Sequence, residues 1–145
     1  LNPADFVEIA PMKKLLSALA VCALLGACST AEKYAANQSA TESWLTSKKG
    51  SSETLVSGAW ESLDSGWGTG RFAQSGGKIT GALGNYTVKG VLNGSTAYLA
   101  FESGGWTYYT AMLKKRGDTL GGFYSSSVPF SSSDQSALTL RRIAD

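Results

Sequence analysis

The chain has 145 residues, 43% hydrophobic and 17% charged, which is enough apolar material for one folded domain. A net charge of +2 is too small for a nucleic-acid footprint, so no nucleic-acid partner is expected. The absence of histidine removes the commonest general base and the commonest metal ligand, so no enzymatic activity, metal or cofactor is expected, and a hydrolase stands last among the alternatives.

Residues 1–11 read as an upstream extension outside the folded protein, because Asp5 and Glu8 are unlike the basic flank of an export signal. Met12 is followed by Lys13 and Lys14, and from Leu15 to Ala27 only Ser17 is polar. A membrane-spanning helix needs about 20 apolar residues, so this run is too short to cross, and 12–27 reads as a signal peptide. Its end, Leu25-Gly26-Ala27-Cys28, resembles the lipobox of bacterial lipoproteins. That resemblance implies that Cys28 is alkylated by diacylglycerol and the bond before it cleaved, which makes a membrane the first expected partner. Ser29 resembles the following residue of lipoproteins sent to the outer membrane of Gram-negative bacteria, which implies a location in the cell envelope facing the periplasm. Each buried methylene contributes about 0.8 kcal/mol, so two or three acyl chains hold where one holds marginally. With Cys22 in the signal peptide and Cys28 lipidated, no disulfide is available to the mature chain.

Residues 28–54 read as the lipidated N-terminus and a polar tether. Within it, Ala31 to Leu45 contains good helix formers, with Tyr34, Gln38, Thr41 and Leu45 near one face, and Lys48 to Ser52 reads as its flexible end. Residues 55–145 form the folded domain. There, apolar-alternating runs separated by glycine-bearing turns about every ten residues predict an all-β domain with strands near 55–63, 67–75, 77–83, 85–93, 95–103, 105–115, 118–126 and 134–143. Asn93-Gly94 is the most specific turn signal and is expected to form a two-residue hairpin loop.

The alternation predicts an inner set of Trp60, Phe72, Ile79, Leu83, Tyr86, Val88, Leu92, Leu99, Phe101, Leu120, Leu138, Leu140 and Ile143. The sixth strand resists assignment, because Trp106, Tyr108 and Met112 compete with Tyr109, Ala111 and Leu113. A meander closing into a barrel or an open sandwich would both serve this pattern. Short connections and the need to remove sticky edges favour an eight-stranded antiparallel up-and-down barrel. Glycines within the strands, at Gly70, Gly81, Gly90, Gly121 and Gly122, suit the bending such a barrel demands. Gly58-Ala59-Trp60, Gln74 to Gly81, and Leu120 to Tyr124 resemble the first strand and glycine-punctuated hairpins of small calycin-type barrels, avidin-like ones especially. That likeness implies the barrel; no set of biotin-binding positions is matched.

Trp67, Tyr86, Trp106, Tyr108 and Tyr124, with Tyr98 and Tyr109, could line an open barrel end and hold a small apolar or planar ligand. The competing role for the same rings is to fill the core or pair across strands outside, and a barrel of this size has room for its own side chains or one small ligand. Lys114-Lys115-Arg116 and Arg141-Arg142 could meet acidic headgroups or simply be solvated strand ends. The serines around Val128-Pro129-Phe130 read as a flexible loop with no base to activate them. The expected function is therefore a lipid-anchored envelope module binding a small apolar ligand or an envelope protein, or else a structural interaction protein with a filled barrel. The pattern leaves the oligomeric state undetermined.

Overall fold

A computed structural model describes residues 29–144. The extension 1–11, the signal peptide 12–27 and the lipid-acceptor Cys28 lie outside the described residues. Helix α1, Ile9–Lys48, enters the described range at Ser29. It is followed by strands β1 Gly58–Ser62, β2 Thr69–Ser75, β3 Lys78–Leu83, β4 Tyr86–Asn93, β5 Thr96–Ser103, β6 Trp106–Arg116, β7 Thr119–Ser125 and β8 Ser136–Ile143. Each strand pairs antiparallel with the next, and β1 pairs with β8, so the sheet closes as an eight-stranded up-and-down barrel. The chain divides into two compact units after Ala36. In the first, Ser29–Ala36 is exposed helix; the second, residues 37–145, holds the last turns of α1 and the barrel. Among the described residues, no helix is long and apolar enough to cross a membrane.

Alternation fills the lumen. All of the expected inner residues are buried except Tyr86 and Ile143, which are partly covered, and Val56, Trp67, Ala97, Ala111 and Leu113 join them. At one end Trp60 is wholly buried and donates its Nε1 hydrogen to Val56 O at 2.9 Å. The Arg142 guanidinium stands 4.5 Å from the centre of the Trp60 ring and donates to the carbonyls of Ser57 and Leu55. On the outside of the same seam Arg141 pairs with Glu61, its cross-strand neighbour. These two arginines thus brace the β1–β8 seam, a role that the sequence reading of solvated ends or headgroup contacts did not contain.

The hairpin after β4 differs from expectation. Asn93 is a strand residue paired with Thr96, so the loop is Gly94-Ser95, with Gly94 alone at positive φ, +59°. Glycine first and an ordinary residue second is the other two-residue solution, in which only the first position needs positive φ. The correction moves the register by two residues, so the inward and outward faces stay as expected.

The segment read as a tether is tied down from Asn37 onward. Trp44 and Leu45 of α1 pack on Val91 and Ala100, the outer side chains of β4 and β5, with Tyr98, Met112 and Phe130 around them. After the helix, Gly50 N donates to Leu92 O, Gly94 N donates to Ser51 O, and Gln74 bridges Val56 N and Thr54 O. The supposedly flexible end at Lys48 to Ser52 therefore runs bonded along the β4–β5 hairpin to deliver Val56 into the core.

Candidate functional site: an aromatic groove beside the barrel mouth

Strand β6 sets the geometry. Phe101 pairs with Tyr109 but Glu102 pairs with Thr107, so Tyr108 is an extra, unpaired residue, a β-bulge. A bulge reverses the facing of whatever precedes it. Tyr109 points into the barrel with Ala111 and Leu113, while Thr107 points outward to α1. This explains why the sixth strand resists a single reading: its register is broken, and its outer Met112 lies under α1.

The expected site residues fall into two groups. Trp67, Tyr86 and Tyr124 meet inside the mouth. Trp67, carried by the β1–β2 loop, is only 8% exposed and lies 5.8 Å from Tyr86, 4.8 Å from Phe101, 5.3 Å from Tyr109 and 4.9 Å from Tyr124, ring centre to ring centre. It plugs the barrel and leaves a surface dimple of about 170 Å³ above itself. Burial first, then the neighbouring Tyr109 and Tyr108, raises the Tyr86 phenol above its ordinary pKa of 10.0.

Trp106 and Tyr108 line a second, larger groove of about 450 Å³, walled also by Asn37, Thr107, Tyr109, Ser126 and Val128, and the Tyr108 ring lies 6.3 Å from that of Tyr86. Tyr109 belongs to both places, packed against Trp67 and Tyr86 and also lining the groove. Tyr98, also considered for a site, instead packs edge-on against Trp44 at 5.9 Å on the outer face, with Lys48 Nζ over its ring. Asn37, Thr107, Ser126 and Val128 escape the sequence reading, because Asn37 is on α1, Thr107 lies beside the β6 register shift, and Ser126 and Val128 are in the serine-rich segment.

Each wall is held from behind. Asn37 Nδ2 donates to Thr107 O at 3.1 Å while its Oδ1 accepts from Thr107 N at 2.8 Å. The buried hydroxyls of Thr41 and Thr107 bond at 2.7 Å. The serine-rich segment, expected to be flexible, is organised by Asp134, which accepts from the hydroxyls of Ser125, Ser126 and Ser127. Those bonds, that of Ser125 foremost, hold the Asp134 carboxyl below its ordinary pKa of 3.8. Thr110 adds a bond to Ser127 O at 2.8 Å.

A smaller depression of about 180 Å³ lies between α1 and the β3–β4 face, lined by Glu42, Leu45, Lys49, Lys78, Lys89 and Val91. Among the described residues, no group of cysteine and carboxylate side chains is placed to hold a metal ion. Nor does any buried side-chain polar atom lack a hydrogen-bond partner. Compared with protein-family models, with curated proteins and with solved structures, the chain matches none.

Proposed function

We propose that this protein is a lipid-anchored, non-enzymatic component of the bacterial cell envelope, held through Cys28 and binding its partner on the outer aromatic groove rather than inside the barrel. The anchor rests on the lipobox-like Leu25-Gly26-Ala27-Cys28 after a basic start and an apolar run, and Ser29 supports an outer-membrane destination. The observation that carries the choice of surface is the Trp67 plug over a lumen already filled from Trp60 to Phe101. A small apolar ligand inside the barrel, the other reading open from the sequence, would need the space that these side chains occupy. The groove of Trp106, Tyr108 and Tyr109 has the mixed apolar and polar lining typical of recognition sites.

A photo-crosslinking amino acid placed at Tyr108, and in a second strain at exposed Lys114 near the far end of the same strand, tests this in the native host. The expected result is an adduct with an envelope component from position 108 alone, lost when Cys28→Ala releases the protein from the membrane. Equal labelling from both positions, or a Cys28→Ala chain that stays membrane-bound, would overturn the proposal.

A further inference from the structure

The groove is walled by Asn37, Trp106, Thr107, Tyr108, Tyr109, Ser126 and Val128, and no charged side chain is among them. Glu102, which accepts from Thr107 Oγ1 at 3.3 Å, is itself engaged by Lys89 Nζ at 2.8 Å. An anion such as a phosphorylated headgroup would therefore lose water here without gaining a counter-charge, which is costly. A wholly apolar ligand would strip water from the half-buried Asn37 amide and the exposed Ser126 hydroxyl without replacing their hydrogen bonds. A peptide that binds as an added strand needs a free strand edge, and a barrel closed by the β1–β8 pairing offers none.

Flat faces of C–H bonds edged by uncharged hydroxyls meet all of these limits. We infer that the groove takes an uncharged oligosaccharide, with the rings of Trp106 and Tyr108 as stacking faces and Asn37 and Ser126 at its polar edge. This rests on the reading above that the groove is the binding surface. A pyranose presents its axial C–H groups to an aromatic ring and its hydroxyls outward to amide and hydroxyl partners. The volume of about 450 Å³ lies within the ~300–1,000 Å³ of small-ligand sites, enough for more than a single ring.

The walls are already in place, which lowers the ordering cost that weakens most saccharide binding. Thr107 is clamped by Asn37 and Thr41 of α1. Tyr109 is wedged against Trp67, Tyr86 and Tyr124 at 5.3 to 5.6 Å. The Ser126–Val128 wall is fastened through Asp134. Tyr108, 48% exposed, is the face left open to a ligand.

The test is titration of the full chain, with its tryptophan indoles labelled with nitrogen-15, using cellotetraose and chitotetraose. Tetra-alanine and tetramethylammonium serve as peptide and cation probes. The expected result is a saturable shift of the Trp106 indole signal with at least one saccharide, while that of Trp60, bonded to Val56 O at the far end, stays put. Tyr108→Ala should weaken binding by about tenfold or more, whereas Tyr108→Phe, which keeps the ring, stays within about threefold. No saturable shift with either sugar, or a response only to the peptide or the cation, would overturn the inference. If crosslinking at position 108 succeeds while both sugars fail, the saccharide is wrong and the groove stands; if both fail, the groove falls with it.

Discussion

The ammonium of Lys89 on β4 lies 2.5 Å from Glu42 of α1 and 2.8 Å from Glu102 of β5, with Gln38 Oε1 at 3.2 Å. Partial burial alone would lower its pKa, but the bonds to Glu102 and Glu42 outweigh that and raise it above the ordinary 10.5. Folding therefore favours the protonated form. The stabilisation it gives is complete below the unfolded value and is lost as pH rises through the higher folded value. Lys89→Met should be less stable than the parent chain at neutral pH, and the gap should close in the alkaline range above 10.5. Denaturant midpoints measured for both chains from pH 7 to 12 check this, and a gap that stays constant throughout would refute it. The aromatic site residues behave differently, since their placement depends on neighbours: Trp67 is buried by Tyr86, Tyr109 and Tyr124. Sequence alternation cannot say whether a loop tryptophan lines a mouth or fills it, because the answer lies in the lumen left over by the other strands.

Among the elements, β7 shows how glycine position controls the barrel wall. A Cβ at Gly122, which faces inward opposite Leu113, would lie 2.1 Å from Met112 O and 3.2 Å from Leu113 Cα. Those are backbone atoms of the adjacent strand and cannot move without opening the sheet. At Gly121 the nearest atom to such a Cβ is Thr139 Oγ1 at 4.0 Å. Gly122→Ala should then cost about 1–3 kcal/mol as overpacking, while Gly121→Ala is neutral or gains up to about 1 kcal/mol from a stiffer unfolded chain. Thermal unfolding of the two variants decides, and equal effects would show that the close approach at Gly122 does not constrain the wall. The strands themselves were legible because period-two alternation and glycine loops are local signals, and a loop misplaced by one residue left the faces unchanged. The groove was not, because it needs the Tyr108 bulge, a helix face distant in sequence and a serine-rich loop held by one aspartate. A polar helix with a thin apolar stripe reads as a tether until the strip of Val91, Ala100 and Met112 that it covers is known.

For the molecule as a whole, the barrel is not self-sufficient. Its lumen ends in Val56, and its outer face across β4 to β6 carries Val91, Ala100, Tyr98 and Met112, which α1 covers through Trp44 and Leu45. A helix of about a dozen residues is marginal in water, so the stretch from Asn37 to Lys48 is held by this packing and by the Thr41–Thr107 contact rather than by its own propensity. Barrel and helix are thus two halves of one stability, and the natural boundary falls after Ala36, not at the first strand. A chain of residues 37–145 should unfold in one transition close to that of the full chain. A chain of residues 58–145 loses the burial of Trp44, Leu45 and Val56, worth about 1.5–3 kcal/mol each, against a typical domain stability of about 5–15 kcal/mol. It should be unfolded or aggregated, through the apolar strip it exposes. Denaturant unfolding with gel filtration of both fragments measures this. If residues 58–145 prove monomeric and as stable as residues 37–145, then α1 only rests on the barrel, and the Asn37 wall of the groove would be dispensable to the fold that carries it.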